Sequence, residues 1–311
     1  MKREVSLLFI MLFATLLAAS CVSEEPAEHP NVLFIICDDL NDYNTVYGGH
    51  PNIRTPNIDK FAKTSTVVLN AHTIVGLCQP SRNSWVCGIY PQNSKDCGWT
   101  PHLQNPLLKK SQTVLEWFRE NGYYLLGSGK LQHHEKESYW NEWGIERGIN
   151  YGPHASNGKE NVGHPSVPEA FRKINNVDGS FASLSDVPVF DSPEAGIKGG
   201  WSYGPRPFRY VDDDDRDLMP DELHANWAVE KLQELERRED GAPPFFMGVG
   251  FVKPHTPLYA PQKYFDMFPM DEIEVPEWLV NDAEDCYYST VYPDTDVGLY
   301  YYQALKEAYP E

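Results

Sequence analysis

The chain is short of positive charge. Its 26 lysines and arginines stand against 45 acidic side chains, for a formal net charge of −19. Such a surface repels phosphate backbones and argues against nucleic acid as a partner. It also repels polyanionic glycans, so any anion that binds has to be met by local cations. Long apolar runs are lacking too. The stretch over residues 7–19 is too short to span a bilayer. There are no internal repeats, and 311 residues are too few for two large α/β domains. One large domain with an ordinary hydrophobic content of 41% is the reading that remains.

The N-terminus has the layout of a targeting segment. Lys2 and Arg3 precede the apolar stretch, which ends at Ser20-Cys21. This is a secretory signal peptide over residues 1–20. Leu17-Ala18-Ala19-Ser20-Cys21 resembles a bacterial lipoprotein cleavage site. That implies a lipid on Cys21, a polar tether over 21–30, and a periplasmic or cell-surface location. Ordinary cleavage nearby is the alternative.

Four segments carry chemistry. Residues 31–37, Asn-Val-Leu-Phe-Ile-Ile-Cys, form an apolar run of strand length and predict a central parallel strand buried on both faces. The run ends in Asp38-Asp39, where open α/β sheets place ligands. Adjacent carboxylates repel unless a cation neutralises them, and a solvated turn is the alternative. Between this first segment and the second, Thr55-Pro56-Asn57-Ile58-Asp59 predicts a helix through Ile58, Phe61 and Ala62, with Thr55 or Asn57 as its cap. Cys78-Gln79-Pro80-Ser81-Arg82 leads to Gly88. Pro80 suits a first helical turn, so residue 78 falls at a helix N-terminus, where free N–H groups favour an anion.

The third segment follows a predicted helix around residues 116–121, stopped by Gly122, and a strand over 123–126. It reads Gly129-Lys130-Leu131-Gln132-His133, with His134 next in line. A surface lysine and a structural histidine are the alternative there. The fourth, residues 244–257, is an apolar strand ending in the proline-stiffened loop Lys253-Pro254-His255-Thr256-Pro257. Rigid loops at strand ends suit preorganised sites.

Taken together, these segments resemble the formylglycine-dependent sulfatase family, most of all its iduronate 2-sulfatase branch, over residues 31–306. The resemblance implies an α/β fold of the alkaline phosphatase/sulfatase type, with a mixed, mostly parallel sheet flanked by helices. It implies that Cys78 is oxidised to formylglycine by a formylglycine-generating or anaerobic sulfatase-maturating enzyme. It also implies a Ca²⁺ ion, rather than Mg²⁺, on Asp38, Asp39 and residue 78. Arg82, Lys130, His133 and His255 are the implied catalytic residues, and Lys253 is a candidate for substrate charge. His133 or His255 would protonate the leaving alcohol. The implied activity is hydrolysis of the sulfuric ester of a sulfated carbohydrate. A phosphonate or phosphate monoester hydrolase and a non-catalytic glycan-binding lipoprotein are the alternatives. One departure lies in the cysteine motif: the family continues Leu-Thr-Gly where this chain has Val86-Cys87-Gly88.

The resemblance also raises an expectation about the end of the chain. Residues 287–308 read mostly as a helix, with Val297, Tyr301 and Leu305 on one face and Pro293 as a break. In the family a strand follows that completes the metal site with Asp-His-Gly or Asp-Asn-Gly. Its absence predicts a sheet incomplete at the C-terminus, with residues 31–311 as the N-terminal part of a catalytic domain. Ca²⁺ takes six to eight oxygens, so a metal held by the remaining ligands is expected to bind weakly and to support little turnover.

The rest of the sequence is less specific. The spacing leaves a Cys87–Cys97 bridge open, with Cys37 free in its strand and Cys286 unassigned. The acidic run at 212–215, with Asp217 beside it, reads as a solvated loop. Residues 140–219 read as irregular insertions walling a substrate pocket. Residues 222–238 predict an amphipathic helix with Trp227, Leu232 and Leu235 inward.

Overall fold

The computed structural model describes residues 29–134, 137–145, 151–157, 160–164, 167–172, 181–186, 191–192, 197–198, 200–203, 206–275, 303–304 and 306–308. The signal peptide, Cys21 and most of the tether, Cys286, Pro293 and nearly all of the expected 287–308 helix lie outside these residues.

Along the described chain the elements run β1 (Val32–Cys37), α1 (Pro56–Ala62), α2 (Cys78–Cys87), α3 (Pro91–Ser94), α4 (Val114–Glu120), β2 (Tyr124–Gly129) and β3 (Glu142–Trp143). They continue with β4 (His154–Ser156), α5 (Glu169–Arg172), β5 (Phe181–Ser183), β6 (Asp191–Ser192), β7 (Ile197–Lys198), β8 (Gly200–Tyr203) and β9 (Arg206–Pro207). Then come α6 (Pro220–Glu236), β10 (Phe245–Phe251), β11 (Leu258–Ala260) and α7 (Gln262–Phe265).

The main sheet has the order β1-β10-β2-β3, and every pairing in it is parallel. Helices pack on both faces, giving the α/β architecture expected from the sequence. On one face, α2 and α4 bring Trp85, Leu115 and Phe118 against Phe34 and Phe246. On the other, α6 lays Trp227, Leu232 and Leu235 against Met247 and Val249, the inward face expected of that helix. α4 opens on a capping box. The Thr113 hydroxyl accepts from the Glu116 amide at 3.1 Å, and the Glu116 carboxylate accepts from the Thr113 amide at 2.8 Å. Gly122, at φ 83°, stops the helix as its sequence position implied.

Four expectations need correction. β1 is an edge strand of the described sheet, not a central one, and Leu33 and Ile35 are 45% and 54% exposed. The doubly buried position belongs to β10. An apolar run reports what a strand could bury, not which neighbours arrive to bury it. Second, Thr55 holds the N-cap position of α1, but its hydroxyl donates to the Asp59 carboxylate at 3.2 Å, accepts from the Thr45 amide at 3.3 Å and caps no amide of α1. Third, Cys87 is buried and Cys97 exposed, and both are free thiols, so they do not form a bridge. Fourth, the 140–219 region is not simply irregular. Ala155, Ala182, Leu184, Trp201, Phe208 and Tyr210 build a separate small core, closed by Met219 and Tyr259. The acidic run is a self-satisfied turn: Asp212 accepts from the amides of Asp214 and Asp215, and Asp215 pairs with Arg209.

Candidate functional site

Strand register builds the site. Cys37 is level with Phe251, and Gly250 with Gly129, so β1, β10 and β2 end side by side. The Asp38 amide donates to the Phe251 carbonyl at 3.0 Å, and the Lys130 amide to the Gly250 carbonyl at 2.9 Å. Gly129 takes φ 81°, and a Cβ there would lie 2.0 Å from the Gly250 carbonyl oxygen. Glycine is therefore required where the chain turns Lys130 inward.

Asp38 sits between two cations. Its Oδ1 accepts from Arg82 at 2.8 Å and its Oδ2 from the Lys130 ammonium. All three side chains are buried. Burial opposes the charge on Asp38, but Arg82 and Lys130 outweigh it and hold the carboxyl below the usual carboxylate range. Arg82 also donates to the carbonyls of Lys130 at 2.5 Å and Leu131 at 3.2 Å. This guanidinium ties α2 to the loop after β2.

Cys78 is the first residue of α2, whose N-cap Leu77 offers no side-chain acceptor to the free N–H groups there. Its Sγ lies 3.5 Å from His133 Nδ1. Burial and Asp38 push the thiol up, although Lys130 and Arg82 pull the other way, so an unmodified Cys78 is a protonated thiol. Burial first, then Lys130, His134 and Arg82, push His133 down to about 4, which leaves its ring neutral at pH 7. Asp39 adopts φ 58°, and its carboxylate lies 3.8 Å from His255 Nε2. The structure thus gathers Asp38, Arg82, Lys130, Cys78 and His133 into one contact network and places Asp39 against His255.

Lys253 lies elsewhere. It is turned into the protein, donating to the His255 carbonyl at 3.2 Å and to the Pro257 carbonyl. Burial pushes it down to about 8. Its ammonium is engaged by the carbonyls of its own loop. The reason is local: the loop that follows Lys253 turns the His255 and Pro257 carbonyls toward the lysine's own ammonium.

Sequence reasoning missed three residues here. Asp221, at the start of α6, is half-buried and accepts from the amides of Val252 at 2.9 Å and Lys253 at 2.8 Å, anchoring the His255 loop. Tyr151 packs edge-on to His255 at 5.2 Å and under the Lys130 ammonium at 4.6 Å. Trp99 lies 5.0 Å from the His133 ring and is 57% exposed. Only Trp99 had a usable signal, as a tryptophan beside Gly98 in a polar loop.

A metal was also expected. Among the described residues no cluster of three His, Cys, Asp or Glu side chains could hold one. Both oxygens of Asp38 are engaged by cations, and a thiol is a poor partner for a hard cation. These residues do not fit a Ca²⁺ ion. They do fit a modified residue 78, which sits half-buried at a helix N-terminus between Lys130, Arg82 and His133.

Parallel strands that end beside a helix N-terminus, with Arg82 and Lys130 against it, define an α/β protein with a candidate anion site. The Sulfatase family pattern matches residues 30–299, and the chain belongs to that family. A sulfatase of Formosa agariphila is 30% identical over 268 residues, covering 84% of this chain and 46% of the relative. Human iduronate 2-sulfatase is 29% identical over 269 residues, covering 80% and 40%. An arylsulfatase of Clostridium perfringens is 26% identical over 261 residues, covering 82% and 50%. The chain spans about half the length, or less, of these relatives.

Proposed function

We propose that the chain carries the sulfate-ester site of an exported sulfuric ester hydrolase acting on a sulfated carbohydrate. The observation that carries this is the placement of Cys78 at the start of α2, 3.5 Å from His133 and beside the Arg82–Asp38–Lys130 cluster. Converted to an aldehyde, residue 78 supplies a hydrated carbonyl, one hydroxyl to take up the sulfuryl group and a second to release it.

The chain's own residues do the remaining work. The first N–H groups of α2 face the anion, and Lys130 offers it a buried cation. Arg82 fixes Lys130 and Asp38 in place. His133, neutral at pH 7, donates one ring N–H to a sulfate oxygen, and His255 reaches the same region across Asp39. With the His133 ring held neutral, His255 is the histidine left to pass a proton to the departing alcohol oxygen as the sulfur–oxygen bond breaks. Calcium on Asp38 and Asp39 belongs to the family's general metal dependence, but the described residues do not fit it, so no step runs through a metal.

The test is hydrolysis of 4-nitrocatechol sulfate and 4-nitrophenyl phosphate by one preparation, with residue 78 identified by mass spectrometry. Preferential cleavage of the sulfate ester, scaling with the aldehyde fraction, supports the proposal. Preferential cleavage of the phosphate would favour a phosphate or phosphonate monoester hydrolase. Absence of hydrolysis of either ester by fully converted protein would leave a glycan-binding role.

A further inference from the structure

Trp99 is a large apolar side chain with no buried role. It is 57% exposed, and its ring centre lies 5.0 Å from that of His133, whose Nδ1 is 3.5 Å from Cys78 Sγ. An exposed indole next to a reactive centre costs solubility and contributes nothing to the core. Its mounting is nevertheless stiff. The carbonyl of Thr100, the next residue, accepts from Gln79 Nε2 at 3.1 Å and from Asn83 Nδ2 at 3.0 Å. Both amides are buried on α2, and Gln79 also donates to Asn83 at 3.2 Å. On the N-terminal side of Trp99, the Gly98 amide donates to the Asp96 carboxylate at 3.1 Å. The helix that presents Cys78 therefore also holds the tryptophan loop by two hydrogen bonds from its interior. An aromatic held this way loses little freedom when a ligand covers it.

We propose that Trp99 is a stacking platform for the pyranose ring that carries the sulfate, with Gln79 and Asn83 as its positioning residues. This rests on the sulfate-ester reading of the site and deepens it. A sulfate held at residue 78 leaves its ester oxygen pointing outward past His133. The attached sugar then meets the indole face, whose π-cloud attracts the ring's polarised C–H bonds. Tyr151, packed on His255, lies on the other histidine. The motif position between Cys78 and Pro80 thereby acquires a function: Gln79 couples the reactive residue to the surface that selects its substrate.

The test is calorimetric binding to the full chain with residue 78 left as cysteine, so that esters stay intact. The probes are inorganic sulfate and a panel of monosulfated pyranosides based on glucose, galactose, glucosamine and iduronate. The wild type should bind at least one sulfated sugar more tightly than inorganic sulfate, by about fivefold to tenfold for a single ring contact. Trp99→Ala should remove that excess and leave sulfate affinity unchanged. Trp99→Phe should restore most of it, and Asn83→Ala should erode it with little change in sulfate binding. Equal sugar-to-sulfate ratios in the wild type and Trp99→Ala overturn the platform while leaving the anion site standing. If the wild type binds neither sulfate nor any sulfated sugar, the sulfate-ester reading fails and the platform with it.

Discussion

Replacing Asp38 by alanine isolates the strongest electrostatic element of the fold. Asp38, Arg82 and Lys130 are each at most 4% exposed, so solvent cannot take over the role of the lost carboxylate. The substitution leaves a guanidinium and an ammonium buried side by side without a counter-charge. Removing one partner of a buried ion pair costs about 3–5 kcal/mol. At about 2–4 °C per kcal/mol for a domain of this size, the melting temperature should fall by roughly 10 °C. Asp38→Asn keeps an acceptor oxygen and should cost less. Urea unfolding in a chelator, with the denaturant slope unchanged, measures the loss. A second variant separates charge from packing. Lys130→Met removes one of the two stranded cations, so the double variant should be more stable than Asp38→Ala alone by at least about 1 kcal/mol. A loss below about 1 kcal/mol for Asp38→Ala, or strict additivity in the pair, would refute the clamp.

Three further outcomes are expected. His224, fully buried and 2.7 Å from the Ser128 hydroxyl, is pushed down to about 4 by burial. An unfolded histidine takes its proton near 6.5, so the unfolded chain binds more protons between those values. Stability should fall as pH drops from about 6.5 to 4, by up to about 3 kcal/mol. His224→Gln should flatten that slope, and an unchanged slope in urea titrations at pH 7 and 4.5 would count against the assignment. Asp221→Ala takes the acceptor from two part-buried backbone amides at the His255 loop and should destabilise by about 1–2 kcal/mol, visible as a lower urea midpoint. Burial pushes the Cys87 thiol up to about 11, whereas Cys97 is exposed. Site-resolved mass spectrometry after brief alkylation of native protein should find Cys97 labelled and Cys87 untouched. Simultaneous labelling of both would sink the burial argument.

Local chemistry was legible in the chain itself. Asp38-Asp39 after an apolar run, a proline two residues past Cys78, and glycines at 88, 122 and 129 announce strand end, helix start and turns. These are one-dimensional signals, because backbone φ limits and helix-end amides depend on residues a few positions apart. The α6 face was readable for the same reason. What could not be read was pairing. No spacing rule says that Asp38 spends both oxygens on Arg82 and Lys130, 44 and 92 residues downstream. Nor does one say that Lys253 folds back on its own loop, or that Thr100 hangs from Gln79 and Asn83.

Sequence alone determined the family, the α/β class and the roster of candidate groups, since these follow from residue type and short-range order. Tertiary structure decided which groups meet, which carboxylate is already neutralised, which strand lies at the edge and where an exposed tryptophan stands. Those outcomes depend on strand register and on distances of a few ångströms between distant segments. Charge pairing and burial act over those distances, and residue order does not record them.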